Sequence, residues 1–134
     1  MHRMKRFKCC ITAILVTTNM CFAMGCATGV SPEELLEQMK SGRAPFLIDV
    51  RSQGEFEKGH LPGAVHMPFY SISSDLSRLG FSRKGSLVLY CEHGPRSGLA
   101  SLMLFLSGYK QVYSLDGHMK NWRSNTFPIE VITH

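Results

Sequence analysis

Beyond its first 26 residues the sequence has little cysteine, little excess charge and no long apolar run. Of the five cysteines, only Cys91 lies after residue 26, and one thiol does not make a disulfide framework. Four of the fifteen Lys and Arg residues precede residue 9, so eleven basic residues remain beside ten acidic ones, a net charge of +1. Without a block of like charges, this balance gives no support for nucleic-acid binding.

The first 26 residues have the three-part layout of a bacterial secretory signal. The chain is basic through Lys8, apolar over Cys9–Val16, and then rich in small residues. The apolar part is too short and too interrupted by polar residues to span a membrane comfortably. Ala23–Cys26 resembles a lipobox, with alanine where leucine is usual. We therefore expect a signal peptide over residues 1–26, lipidation of Cys26, and an exported protein that is periplasmic or attached to the membrane. Cleavage without lipid and a retained anchor are the alternatives.

The remainder, residues 28–130, is predicted to be one domain, because it contains no internal repeat, low-complexity tract or linker. Strands are predicted at 46–50, 64–67, 87–90 and 111–115. Helices are predicted at 31–41, 52–58, 71–79 and 99–106 and around Trp122, with Thr28–Val30 as a spacer. This alternation is typical of an α/β fold with a parallel sheet covered by helices on both faces.

A strand, a short loop and a helix surround Cys91 in that order. The loop turns at Gly94, so its N–H groups and the helix N-terminus converge on one point that suits an anion. The helix dipole and Arg96 both favour the thiolate form of Cys91. Because ligands bind at the carboxyl ends of parallel strands, Asp49 is expected on the same rim as Cys91.

Over roughly residues 30–128 the chain resembles a single rhodanese-like domain. Four motifs occur in the order and spacing of that family: Asp49-Val50-Arg51 followed by Glu55-Phe56, then Gly59–Ala64, then Cys91–Ser97, then Leu115-Asp116-Gly117 ahead of Trp122. The resemblance implies a rhodanese-like parallel sheet flanked by helices on both faces. It also implies a sulfurtransferase that moves sulfane sulfur from a donor to a thiophilic acceptor through a Cys91 persulfide.

The resemblance also implies a role for each residue of the site. Cys91 and Arg96 are the catalytic residues, with Arg96 and the loop N–H groups holding the transferred sulfur. Glu92 and His93 are expected on the solvent side of the loop, in contact with donor or acceptor, and the other expected substrate-binding residues are Gly94, Pro95 and Ser97. Asp49 and Arg51 are expected to brace the loop, with an ion pair to Glu55; a helix cap and a surface pair are the alternative.

The partners implied are a small sulfur donor, such as thiosulfate or a persulfide, and a thiol or cyanide-like acceptor. No cofactor is expected, and no metal, since His66 and His118 lack ligand spacing. No nucleic acid is expected as a partner. The protein is expected to contact a membrane only through the N-terminal lipid. Because Glu92 weakens the electropositive mouth that a thiosulfate dianion prefers, the donor stays open.

The length of the loop separates sulfur transfer from related chemistries. Four residues lie between Cys91 and Arg96, and the tyrosine-phosphatase-type cradle is longer by one residue and seats a tetrahedral phosphate. The shorter loop matches rhodaneses that transfer sulfur. A thiol-based phosphatase or arsenate reductase is the third hypothesis, after the sulfurtransferase and a binding module. The shorter loop argues against it.

His118 departs from the family pattern, in which a second glycine usually follows Gly117. A side chain at this position is expected to alter the turn or to shade the site entrance. Together with Glu92, it motivates the main alternative, a catalytically weak module that binds a sulfur compound or a partner protein. Trp122 is expected to anchor the core. Four helix residues are also expected in the core: Leu102, Met103, Phe105 and Leu106.

Overall fold

The computed structural model describes residues 28–133. The predicted signal peptide and the lipidation of Cys26 lie outside the described residues. Within 28–133, no helix is long and apolar enough to cross a bilayer.

A parallel sheet of five strands forms the centre of the described chain, in the order β1-β5-β4-β2-β3. The strands are β1 (Thr28–Val30), β2 (Phe46–Asp49), β3 (Val65–His66), β4 (Ser86–Tyr90) and β5 (Gln111–Leu115). The central strands β2 and β4 are short apolar runs, as strands covered on both faces should be. Their register sets Asp49 opposite Tyr90, so Asp49 and Cys91 lie on the same rim, as predicted.

The edge strand β1 was not expected, because Thr28–Val30 was interpreted as a spacer. It pairs in parallel with Tyr113–Leu115 of β5, and Asp116 donates its backbone N–H to the Val30 carbonyl at 2.9 Å. The pairing uses backbone atoms of two segments far apart in sequence. Three residues that include a glycine carry no side-chain pattern that could predict it.

Five helices cover the sheet: α1 (Pro32–Lys40), α2 (Gln53–Lys58), α3 (Ile72–Arg78), α4 (Pro95–Leu106) and α5 (His118–Ser124). Ser52 and Glu55 form a capping box at the start of α2, which fixes Glu55 near the sheet rim. Helix α4 begins at Pro95 rather than at the predicted Leu99, since proline is well suited to the first helical position. Arg96 and Ser97 therefore belong to the first turn of a helix.

The core has one layer on each face of the sheet, with α3 and α4 on one face and α1 and α5 on the other. Trp122 is fully buried, as predicted.

The prediction that four residues of α4 lie in the core was wrong. Leu102, Phe105 and Leu106 are 47%, 51% and 76% exposed, and Met103 is half-buried. The residues of α4 that face the sheet include Ala100 and Leu104. Because α4 is apolar on several faces, its sequence alone could not show which face is buried.

Candidate active site

The Cys91 side chain lies at the end of β4, beneath the first turn of α4. Cys91 is only 1% exposed, and its Sγ accepts the backbone N–H of Gly94 at 2.9 Å. The Ser97 hydroxyl lies 3.8 Å from Sγ and donates to the Gly94 carbonyl at 2.8 Å. Gly94 adopts a φ of 129°, a conformation that side chains rarely allow, and this conformation turns its N–H toward the sulfur.

This geometry stabilises negative charge on the sulfur. Gly94 donates its N–H to the sulfur and is the N-cap residue of the twelve-residue helix α4, so an N–H donor and the positive end of a helix dipole lie where an anionic sulfur would be held. Of the loop N–H groups that were predicted to converge at this point, that of Gly94 contacts the Cys91 sulfur. His93 and Pro95 are exposed on the outer side of the loop.

Asp49 and Arg51 form a buried ion pair next to the loop, with an Arg51 Nη2 to Asp49 Oδ2 distance of 2.7 Å. Nη2 also donates to the Gly59 carbonyl at 2.7 Å. Burial by itself would lower the pKa of Arg51, but the hydrogen bond and charge of Asp49 outweigh this effect and raise it. The predicted ion pair of this unit with Glu55 is wrong, because Arg51 pairs with Asp49 and with Glu92.

The prediction that Glu92 lies on the solvent side of the loop is wrong. Its carboxylate bridges two arginines: Oε2 lies 3.2 Å from Nη1 of Arg51, and Oε1 lies 2.6 Å from Nη1 of Arg123. The buried Arg51 has more donors than Asp49 can accept, and α5 brings Arg123 to the other side of Glu92. The charge of Glu92 is therefore balanced within the protein and does not line the mouth of the site.

Arg96 also differs from the prediction that it holds the transferred sulfur. Its guanidinium forms a bidentate pair with Glu55, with distances of 2.6 and 2.9 Å. This pair joins the first turn of α4 to α2. The hydrogen bond from Arg96 holds the pKa of Glu55 well below its usual range, and hydrogen bonds with Glu55 raise the pKa of Arg96. The contacts of the guanidinium are with Glu55, and its interaction with Cys91 is through charge.

Two residues of α5, His118 and Arg123, complete the site. His118 Nδ1 lies 3.4 Å from the Cys91 backbone nitrogen, which donates to it, and His118 has a φ of 55°. His118 therefore contacts the Cys91 loop, and the expectation that it alters the turn or shades the site entrance stays a prediction. Arg123 was not anticipated, since a lone arginine on a short helix has no signal that distinguishes it from a solvated surface charge.

The other histidines and the buried tyrosine beside the rim have structural contacts. His60 is stacked on Phe56 with ring centroids 3.8 Å apart, and His66 Nε2 lies 2.8 Å from the Arg51 carbonyl. The Tyr90 hydroxyl accepts the Leu61 N–H at 3.1 Å, and burial raises the pKa of Tyr90. Within residues 28–133, no three His, Cys, Asp or Glu side chains are grouped as metal ligands would be.

Comparison with known proteins points to one family. The model of the rhodanese-like domain matches residues 31–125. Over 103 residues the chain is 32% identical to a protein named thiosulfate sulfurtransferase GlpE from Pseudomonas savastanoi pv. phaseolicola, covering 77% of this chain and 92% of that protein.

Solved structures agree in fold. The Alr3790 protein from Anabaena sp. is 23% identical, with a TM-score of 0.71 over 77% of this chain and 82% of that chain. A rhodanese-related protein from Thermoplasma volcanium is 21% identical, with a TM-score of 0.67 over 78% of this chain and 99% of that chain.

Proposed function

Because this chain belongs to the rhodanese-like domain family, we propose that it is a sulfurtransferase that carries sulfane sulfur as a persulfide on Cys91. The observation that carries the proposal is the 2.9 Å hydrogen bond from the Gly94 N–H to Cys91 Sγ at the N-terminus of α4. A thiolate is the form of cysteine that attacks sulfur, and this arrangement favours it. The relative named as a thiosulfate sulfurtransferase supports the same reaction class.

The proposed reaction has two steps. In the first, the Cys91 thiolate attacks the outer sulfur of the donor; the sulfur–sulfur bond of the donor breaks, and its electron pair leaves with the rest of the donor. In the second, a nucleophilic acceptor attacks the outer sulfur of the persulfide, and Cys91 leaves as a thiolate. The Gly94 N–H and the dipole of α4 stabilise the anionic sulfur at each stage.

The charges around the loop favour a donor of low charge. Each of three nearby arginines is paired with a carboxylate: Arg51 with Asp49 and Glu92, Arg123 with Glu92, and Arg96 with Glu55. A dianion such as thiosulfate therefore gains little from them. A persulfide monoanion needs less compensation, so we propose a persulfide as the better donor and thiosulfate as the weaker one.

The pairing of Arg96 also argues against phosphoryl chemistry at this loop. A tetrahedral oxyanion at the loop needs positive charge directed at its oxygens, and the guanidinium of Arg96 is directed at Glu55 instead. The short distance from Cys91 to Arg96 along the chain supports the same conclusion.

Turnover with thiosulfate and cyanide tests the reaction, with thiocyanate as the readout. Wild type is expected to form thiocyanate, and Cys91→Ser is expected to form none above the uncatalysed rate. Ser97→Ala, which removes a hydroxyl 3.8 Å from Sγ, serves as a comparison that retains the nucleophile. Equal turnover by wild type and Cys91→Ser would contradict the proposal.

A module that binds a sulfur compound without turnover is the second candidate. The 1% exposure of Cys91 favours it, because a nucleophile must be reached by its donor. It predicts that the protein gains no sulfur from any donor, while its binding of the sulfur compound survives Cys91→Ser.

We also propose that the protein is exported and attached to a membrane by lipid on Cys26. The three-part N-terminal sequence supports this proposal. Fractionation of cells expressing the full chain tests it: a cleaved protein in the membrane fraction is expected, and an uncleaved cytoplasmic protein would contradict it.

A further inference from the structure

The imidazole of His118 spans the loop from Cys91 to Gly94. Nδ1 accepts the Cys91 N–H at 3.4 Å. The other ring nitrogen, Nε2, lies 3.1 Å from the position that a β-carbon on Gly94 would occupy. Gly94 is the residue whose N–H holds the Cys91 sulfur. The ring therefore lies beside the part of the loop that binds sulfur.

Backbone hydrogen bonds fix His118 in this position. The N–H groups of Met119 and Lys120 donate to the carbonyls of Cys91 and Glu92 at 3.0 and 3.3 Å, so the first turn of α5 is tied to the loop. His118 itself has a φ of 55°, a left-handed conformation that costs free energy for any residue with a β-carbon. Glycine would adopt it without strain, so the histidine at this position carries a conformational cost.

The hydrogen bond at Nδ1 defines the tautomer of the ring. A nitrogen that accepts an N–H carries no proton, so the proton of the neutral imidazole is on Nε2. Burial lowers the pKa of His118; Asp116 opposes this effect by charge, and His93 adds to it. Cys91 contacts the ring through its backbone N–H. At neutral pH the ring thus presents an uncharged Nε2–H donor next to Gly94.

We propose that His118 contacts the substrate, and that its Nε2–H donates a hydrogen bond to the anionic sulfur bound at the Cys91–Gly94 loop. This inference rests on the proposed sulfurtransferase function. When the outer sulfur has bonded to Sγ and the rest of the donor has left with the electron pair, the outer sulfur carries the negative charge. Nε2–H then acts as a second donor alongside the Gly94 N–H. The proton remains on Nε2 throughout.

The same geometry predicts how the contribution of His118 depends on pH. Protonation puts a proton on Nδ1, so that two N–H donors, those of His118 and Cys91, face each other. The hydrogen bond that positions the ring is then lost. His118 should therefore assist transfer above its pKa and cease to assist below it. Since burial lowers that pKa from its ordinary value of 6.5, the assistance should be lost on the acid side of 6.5.

The test compares kcat/KM for sulfur transfer in wild type, His118→Gly and His118→Asn across pH. At about pH 8, His118→Gly is expected to be about tenfold slower, the effect of losing one hydrogen bond to an anion. As the pH is lowered below 6.5 and His118 takes up a proton, the difference in rate between the two proteins should disappear, because the protonated ring no longer contributes.

Three comparisons identify the group responsible. Asparagine tolerates a left-handed backbone and keeps an N–H donor, so His118→Asn should recover part of the rate at pH 8. Because its amide does not take up a proton in acid, this recovered part should not be lost as the pH falls. In a His93→Asn background the effect of His118→Gly at pH 8 should be the same, and its loss in acid should persist at a somewhat higher pH, because His93 no longer lowers the pKa of His118; persistence of this loss excludes His93 as the titrating group. Lys120→Ala, with an exposed side chain on the same helix, should retain the wild-type pH profile.

Stability and persulfide formation separate the possible failures. His118→Gly should unfold at the same or a higher urea concentration than wild type, because it relieves the strained φ; a large loss of stability would indicate a merely structural histidine and overturn the inference. An unchanged kcat/KM in His118→Gly, with Cys91 persulfide still formed, overturns this inference alone. Failure of wild type to form any persulfide overturns the proposed function as well.

Discussion

At the scale of single residues, the site depends on buried charges that are balanced by partners from other elements. Arg51 is 1% exposed and Asp49 is fully buried, and Arg51 joins the end of β2 to the end of α2 and to the loop. A buried ion pair is not a large net source of stability, but an unpaired buried charge is costly. The loss of one partner should therefore affect folding strongly.

Asp49→Asn is predicted to lower the free energy of unfolding by about 3 kcal/mol, because it leaves Arg51 without its nearest counter-charge. Urea unfolding monitored by circular dichroism measures the change. Asp75→Asn is the control: Asp75 pairs with the exposed Arg78 at 3.3 Å, and its loss should cost less than about 1 kcal/mol. Equal effects of the two substitutions would show that the Asp49–Arg51 pair is not an important support.

Glu55→Gln tests the link between α2 and α4. The pKa of Glu55 is depressed in the folded state, so its stabilising contribution is present above the unfolded pKa and is lost as pH falls through the folded pKa. Both partners are about one-third exposed, so the contribution at pH 7 should be only about 1 kcal/mol.

The stability difference between wild type and Glu55→Gln should therefore shrink as pH falls below 4.5, the ordinary pKa of Glu55. Chemical unfolding at several pH values measures it. Glu37→Gln, on the exposed surface of α1, should change stability by less than about 0.5 kcal/mol. A difference at Glu55 that stays constant down to acid pH would contradict the depressed pKa.

At the scale of elements, α4 has two roles: its first turn serves the loop and its inner face serves the core. Leu104 is fully buried against the sheet, whereas Leu102 is 47% exposed. Leu104→Ala should cost about 3 kcal/mol of unfolding free energy, and Leu102→Ala should cost less than about 1 kcal/mol. Denaturant midpoints measured side by side give the comparison. A larger loss at Leu102 would mean that its face of α4 is covered in solution.

Helix α4 also shows why a sequence predicts some features of an element and not others. Pro95 and the turn glycine Gly94 indicate where the helix begins, although the prediction set the start at Leu99. The buried face could not be predicted, because Leu102, Phe105 and Leu106 are as apolar as Leu104. Only the position of α4 over the sheet distinguishes them.

At the scale of the whole molecule, the parallel sheet brings distant residues to one rim. The alternation of strands and helices predicts this architecture, and the rim position of Asp49 and Cys91 follows from it. The partners of the charged residues do not follow, because several arginines and carboxylates with similar sequence separations could pair. Arg51 with Glu92, and Arg96 with Glu55, are outcomes of packing between α2, α4 and α5.

The same limit applies to the edges of the molecule. Strand β1 and the bridge between His60 and Glu130 are made through backbone atoms of segments that carry no strand pattern. The motifs around Cys91 predict the site better, since glycine, proline and cysteine each have a conformational or chemical role that their spacing reveals.

The mass of the intact protein after exposure to a sulfur donor tests the central claim most directly. Wild type should gain one sulfur atom, the added sulfur should be removed by cyanide, and peptide mapping should place it on Cys91. Cys91→Ser should gain none under the same conditions. A wild-type protein that gains no sulfur from either thiosulfate or a low-molecular-weight persulfide, or a Cys91→Ser protein that gains it equally, would contradict a persulfide-carrying Cys91.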